Sequence, residues 1–498
     1  MSRLRSPLHK QGAPTALLKP SLRPDARAHV DASRLFVNDV HSQLNRTRVG
    51  GVAAPASLTE LQGLVRATGR SGRALAVAGG RHAMGGQQFA AGELLVDMRG
   101  MKRVLRFDAK RREIEVEAGI EWPELISYLL RVQADCRTPL GIIQKQTGAD
   151  RLSLGGALAA NIHGRGLRFK PIIGDVESFV LIDATGEARR CSRHENAELF
   201  RLVIGGYGLF GVIASVTLRL VPRRKLKRVV QLLELHDLMS AFDARIADGY
   251  LYGDFQFMTD ADDAGFLRTG IFSCYCPVAT DTPSPPEPLE LSAPEWQELL
   301  YLAHADRRHA FETYATHYLA TSGQLYWSDT HQLSVYLDDY HRTLDRRLGV
   351  RVRATEMITE LYVPRPALAA FMEAVRADFR RHAVELIYGT VRLIEKDDES
   401  FLAWAREDFA CVVFNLHVEH SVTGSAKARA DFGRLIERAS EYGGSFYLTY
   451  HRWATRAQVE ACYPQFAEFL RLKQRHDPAN VFQSDWYRHH HAMFADAL

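Results

Sequence analysis

At 498 residues the chain is longer than one hydrophobic core serves, so two or three domains are expected. With 46% hydrophobic and 24% charged residues it has the balance of a globular chain, and a net charge of +4 is too small at this length to argue for nucleic-acid binding. No apolar run approaches the ~18 residues that cross a bilayer, and six cysteines without a CxxC pair point to reduced thiols in a cytoplasmic protein.

The first thirty residues carry six Lys or Arg against Asp25 alone, and their apolar patch "APTALL" is too short for a secretory core. A flexible basic arm over residues 1–40 is expected, with weak contact to an anionic membrane surface as the second reading. "SLTELQGLVRATGRSG" opens with Ser57 and Glu60 at capping-box spacing and continues with helical periodicity. "RALAVAGG" and "GELLVDM" read as strands. "MKRVLRFDAKRREIEVEAG" and "DVESFVLIDATGEARRCS" read as hairpins, and "IEWPELISYLLRVQ" and "NAELFRLVI" as helices. A composition shift at "PRRKLKR" introduces long strands, a Pro-rich loop and a helical stretch around 293–320 in a second α+β domain, with the insertion near 280–325 read as added core and a partner contact or a lid over the site as the other readings. "RAQVEACYPQFAEFLRLKQRHDPANVF" reads as one long amphipathic helix stopped at Asp477-Pro478. His489–His491 read as a solvated tail rather than a metal patch.

Glycine marks the junctions. In "AVAGGRHAMGGQQFA" a strand ends at Gly79 and Gly80, and His82 follows. Glycine lets backbone approach a ligand closely, so His82 is either held against such a ligand or bonded to its own turn. "GYGLFG" at 206–211 matches the dinucleotide fingerprint G-x-G-x-x-G, which requires a strand before it and a helix after it. Here a helix precedes it and the strand-like "VIASVTLRLV" follows, so a nicotinamide site of that kind is excluded.

"GGRHAMGGQQFA", "SLGGALAANIHG" and "NAELFRLVIGGYGLFGVIASVTLRLVP", in this order, resemble the flavin domain of the vanillyl-alcohol oxidase/p-cresol methylhydroxylase superfamily, which includes cytokinin dehydrogenases, alditol oxidases, aldonolactone oxidases and decaprenylphosphoryl-ribose oxidase. The resemblance implies an α+β fold: a two-subdomain PCMH-type FAD-binding domain over 41–222, and a substrate cap with an antiparallel sheet over 223–449. A segment over 450–498 would return to the flavin domain. FAD would lie against Gly79, Gly80, Arg81, His82, Ala83, Gly148, Ser153, Gly155, Gly156, Asn161, His163, Gly164, Val212 and Ile213, with bare loop amides at its pyrophosphate. His82 matches the histidine that many relatives bond to the flavin.

For catalysis the resemblance implies Arg392, in "TVRLIEKDD", facing substrate, although the neighbouring family glutamate is Thr390 here. "CVVFNLHVEH" alternates as a strand and places Asn415 and His417 on one face. Tyr450 stands where relatives carry a catalytic lysine, and no lysine occurs in "GGSFYLTYHRWATR"; Tyr450, His451 and Arg452 are the polar groups left there. Gly148 holds the place of the cytokinin-dehydrogenase aspartate, with Asp150 two positions off. The implied activity is hydride transfer from a C–H beside a hydroxyl or amine of a small or sugar-like molecule to FAD, reoxidised by oxygen or another acceptor. An NADPH-dependent C=C reductase of the sterol side-chain type and a flavin-binding partner protein without turnover are the alternatives. No metal is expected, and the oligomeric state is left open.

Overall fold

Small and β-branched residues between glycines build the first layer, a three-stranded parallel sheet. A computed structural model describes residues 35–284, 288–334 and 340–498; most of the basic arm lies outside them. Strand β1 (Gly51–Ala53) leads through helix α1 (Leu58–Arg70) to β2 (Leu75–Ala78) and then β3 (Leu94–Asp97), which takes the centre. Ser57 caps α1 by accepting from Glu60 N–H at 3.2 Å, but the Glu60 carboxylate reaches Ala56 N–H, so the expected box is half made. The C-terminal segment adds to this layer: Leu75 N–H donates to Val481 O at 2.7 Å, and Gln483 N–H to Leu75 O at 2.9 Å.

The alternating segments that follow form the two expected hairpins. In chain order come β4 (Val104–Asp108), β5 (Glu113–Glu117), α2 (Trp122–Val132), α3 (Leu154–Ala160), β6 (Val176–Ile182), β7 (Ala188–Ser192), α4 (Ala197–Val203) and β8 (Val212–Arg219). The strands make an antiparallel sheet in the order β7-β6-β8-β5-β4. Helix α4 precedes the glycine run and β8 follows it, the reverse of a dinucleotide fingerprint.

A larger antiparallel sheet takes most of the remaining chain. Its elements are β9 (Lys225–Glu234), α5 (Leu238–Ala247), β10 (Tyr252–Phe257), β11 (Thr269–Val278), α6 (Ala293–Ala305), α7 (Arg307–Ala320), β12 (Leu325–Trp327), α8 (Tyr340–Leu348), β13 (Ala354–Pro364), α9 (Leu368–Arg381), β14 (Leu386–Ile394), β15 (Phe409–Glu419), α10 (Val422–Glu441) and β16 (Ser445–Phe446). The strand order is β12-β9-β11-β10-β14-β15-β13-β16. Two strand–helix–strand–strand units, from β9 and from β13, each place their third strand in the middle and meet at the β10–β14 pair. This duplication is one of topology, and no sequence repeat announces it.

The tail differs from the single helix expected. It runs as α11 (Arg456–Cys462) and α12 (Phe466–His476), because Pro464 lacks an N–H and its ring excludes a continuous helix. The histidine run is packed rather than solvated. It lies on α13 (Asp485–Met493), where His490 is buried against Trp486 and Phe466 and bonds Trp486 O at 2.9 Å. Residues 35–498 form one unit of mixed α+β architecture, all six cysteines are free, and no helix among the described residues is long and apolar enough to cross a membrane.

Candidate active site

The glycine junctions and the large sheet enclose a cavity of about 1010 Å³, at the upper end of the ~300–1,000 Å³ typical of cofactor and ligand clefts. Its floor is backbone. A Cβ on Gly79 would stand 1.8 Å from Ser153 Oγ, and one on Gly80 2.2 Å from the Arg151 carbonyl oxygen, so the 79–83 and 148–156 loops meet only because both positions are glycine.

Of the residues expected at the cofactor, Gly79, Gly80, Arg81, His82, Ala83, Gly148, Ser153, Gly155, Gly156, His163 and Ile213 line this cavity. Asn161, Gly164 and Val212 do not. Asn161 ends α3 in the left-handed region at φ 51° and donates to Asp397 at 2.8 Å. Gly164 packs on Lys145, whose carbonyl oxygen would lie 2.7 Å from an added Cβ. Val212 faces the core beside Leu75 and Phe482. The bare-amide expectation holds unevenly. Gly155 N–H is spent on Ala118 O at 2.7 Å, whereas the N–H groups of Gly80, Arg81 and His82 have no backbone partner among the described residues.

His82 is fixed by a second histidine from the segment before β1: His41 Nε2 lies 2.9 Å from His82 Nδ1. Burial, and then His41 beside it, push the His82 imidazolium down to about 3. The ring is therefore neutral at physiological pH and holds a lone pair.

The opposite wall is the large sheet. Arg392 on β14, Asn415 on β15, and Tyr450 line the cavity; His417 does not and stands behind it beside His304 and Glu356. At the centre of this wall is a carboxylate absent from the sequence expectation, Glu360 on β13. Its Oε1 lies 2.6 Å from His163 Nε2 and 2.8 Å from Cys411 Sγ, and its Oε2 accepts from Tyr450 OH at 2.9 Å. His163 Nδ1 faces Gly164 O at 3.0 Å, so both ring nitrogens are held in place. Burial alone would raise the Glu360 carboxyl, but His163 and then Arg392 outweigh it and hold the group at about 2. Burial, and then Glu360, push the Tyr450 phenol well above its ordinary range, so it stays a donor.

Neighbouring polar residues serve other ends. His451 stacks on Trp453 at 4.2 Å, Arg452 donates to Gly85 O at 3.1 Å, and Asp150 is paired with buried Lys145 at 2.6 Å. Helices α6 and α7, read from sequence as added core, put Trp296, Leu299, Phe311, Tyr314 and Tyr318 on the cavity wall.

Buried polar atoms without partners gather here: Arg81 Nε, Gln88 Oε1 and Thr147 Oγ1 toward the glycine loops, and Asp254 Oδ1, Gln256 Oε1, Arg392 Nε and Asn415 Oδ1 on the sheet. Each unmade bond of this kind costs ~1–3 kcal/mol, so their concentration on one cavity marks a place built for polar ligands. A dinucleotide with a polar substrate fits that set: glycine-lined backbone and free amides for the former, the Glu360 wall for the latter.

The comparisons agree. Residues 49–192 match the family model of an FAD binding domain. L-gulono-1,4-lactone dehydrogenase of Mycobacterium tuberculosis is 25% identical over 445 residues, covering 88% of this chain and 95% of its own. Decaprenylphosphoryl-beta-D-ribose oxidase of Mycolicibacterium smegmatis is 24% identical, covering 88% and 94%. Cytokinin dehydrogenase 10 of Oryza sativa subsp. japonica is 31% identical over 45% of this chain and 41% of its own. Residues 49–192 carry an FAD-binding domain, the chain is similar to flavoprotein oxidoreductases over most of its length, and FAD is its cofactor.

Proposed function

We propose that the protein oxidises a C–H bond next to a hydroxyl or amine of a small molecule that joins a polar reacting end to an apolar or ring-bearing body. Residues 41–222 serve as a two-subdomain flavin domain, and 223–449 as the cap. FAD held along the 79–83 and 148–156 loops supplies the hydride acceptor. His82, neutral and clamped by His41, is the residue to which the flavin is joined.

The observation that carries this reading is the buried Tyr450–Glu360–His163 chain on the cavity wall. Removing a hydride from an alcohol also requires its hydroxyl proton to leave. Tyr450 Oη donates to Glu360 Oε2, which fixes the phenol and leaves an oxygen lone pair to accept a hydrogen bond from that hydroxyl and orient it against the hydride acceptor. Arg392 and Asn415, each with an unpaired buried atom on the same wall, hold the substrate's polar groups. The aromatic wall from α6 and α7 receives its body and excludes water.

The test is anaerobic mixing with alcohols, sugar lactones and amines while flavin absorbance is followed. Wild type is expected to bleach with a member of this set. Tyr450→Phe, with unchanged flavin content, is expected to bleach ~10²–10⁴-fold more slowly. A Tyr450→Phe protein that bleaches as fast as wild type sinks the Tyr450 assignment. Colour released by acid from wild type would remove the covalent link to His82.

A further inference from the structure

Four residues from Glu360, on the same face of β13, stands a second polar cluster that hydride transfer does not use. Glu356 on β13 and His417 on β15 are direct cross-strand partners, and His304 reaches them from the last turn of α6. One ring nitrogen of each histidine and a Glu356 oxygen all lie within 4.8 Å of one another. We propose that His304, Glu356 and His417 bind a divalent cation of the zinc class, with the fourth position left to water or a donor atom of the substrate.

Three features separate this cluster from a set of hydrogen bonds. His304 Nδ1 lies 2.8 Å from Leu300 O, a contact that anchors the ring and turns Nε2 toward Glu356 Oε1 at 3.1 Å. A ligand histidine anchored by its other ring nitrogen to a carbonyl is the usual arrangement around a metal. Second, His417 Nδ1 is buried with no hydrogen-bond partner, and its ring meets His304 edge to face at 5.2 Å. Third, the other oxygen of Glu356 is already oriented, accepting from Tyr340 OH at 2.5 Å with His341 Nδ1 at 3.1 Å. Ligand carboxylates are held by outer partners in this way.

Spacing decides between this cluster and the other grouping of a histidine, a glutamate and a cysteine, at Glu360. Ligands ~2.0–2.1 Å from a tetrahedral ion stand ~3.3 Å apart. The 2.6 Å between His163 Nε2 and Glu360 Oε1 is a hydrogen bond with no room for an ion, whereas 3.1 Å at His304 is close to a shared shell. Two imidazoles and one carboxylate suit a borderline cation and leave an open position. Glu356, Tyr340 and His341 line the cavity, so that position faces substrate.

The site stands independently of the flavin, and its test counts metal and flavin separately. Purified holoprotein is stripped with a chelator, reloaded with Zn²⁺ and desalted, with zinc read by mass spectrometry and flavin by absorbance. Wild type is expected to hold one zinc per chain, and His304→Gln and His417→Gln to bind at least about tenfold more weakly while retaining flavin, which reports their folding. Co²⁺ in place of Zn²⁺ is expected to give four-coordinate visible bands in wild type alone. Wild type with no stoichiometric zinc, or a double His304→Gln, His417→Gln variant that holds zinc as tightly, overturns the site. Protein that binds zinc but no flavin would overturn the cofactor assignment and leave this one standing.

Discussion

Replacing Glu360 by glutamine keeps its shape and removes its charge, which makes it the sharpest probe of the cavity wall. In wild type the carboxylate meets donors at His163, Cys411 and Tyr450; an amide offers one acceptor oxygen and turns its NH₂ against the others. The size of the effect follows from two routes. Glu360 is held at about 2 against an ordinary 4.5, a difference equivalent to ~3 kcal/mol in favour of the folded state. Leaving one partner of a buried ion pair alone costs ~3–5 kcal/mol. Both put Glu360→Gln about 3 kcal/mol below wild type at pH 7. The sign fixes the pH dependence. The folded-state value is depressed, so the contribution is complete above 4.5 and is lost as pH falls toward 2. The gap should narrow by ~0.8 kcal/mol at pH 4 and ~2 kcal/mol at pH 3. Urea unfolding followed by tryptophan fluorescence at these pH values measures it. Equal stability at pH 7, or a gap that does not narrow in acid, would refute the argument that His163 and Arg392 outweigh burial.

Gly80→Ala puts a Cβ 2.2 Å from Arg151 O, which forces the two cofactor loops apart; flavin absorbance per chain should fall by at least half, and full retention would contradict the loop-to-loop fit. Asp175 is raised to about 7 by burial, which Gln144 and Arg219 only partly oppose. A raised folded-state value means stability is complete below 3.8 and lost as pH rises through 7, so Asp175→Asn should stabilise the protein by at most ~4 kcal/mol at pH 8 and by under ~1 kcal/mol at pH 4, read by the same urea titration. Trp296→Ala removes an aromatic from the α6 wall; losing the burial of such a side chain, ~1.5–3 kcal/mol, should raise KM about tenfold or more with kcat less affected, and an unchanged KM would remove α6 from the substrate pocket.

Local pattern carried much of the fold. Alternation in residues 101–119 and 175–192 gave both hairpins, and the order helix–glycine–strand read around residue 206 is the order observed. Where the reading failed, a single residue or a distant partner intervened. Pro464 sits inside an amphipathic pattern that continues on both sides of it, so periodicity bridged a break that the missing N–H imposes. His489–His491 look solvated in a polar run, yet the helical turn places His490 over Trp486 and Phe466, apolar surface that no window around residue 490 contains in full. The α6–α7 segment has no unusual composition, and only the enclosure of the cavity shows what its aromatics do.

The site divides along the same line. Its glycine half was legible because backbone approach leaves a mark in sequence: only glycine fits at 79 and 80. Its carboxylate half was not. In "ATEMITELYVP" Glu356 and Glu360 sit four apart, and period two places them with Ile358 on one face. Two acids on a strand usually mean a solvated face, but every residue from Ala354 to Val363 except Ile358 is buried, so each carboxylate needs cations or donors brought from elsewhere. Those partners come from residue 163 and residues 392, 411 and 450 for one, and from residues 304, 340 and 341 for the other. None is near residues 356–360 in sequence except the last two. Four residues of strand separate the two carboxylates by ~13 Å, so the proposed roles of Glu360 and of Glu356 fall at different ends of one cavity wall, and a substitution at either leaves the other to be measured.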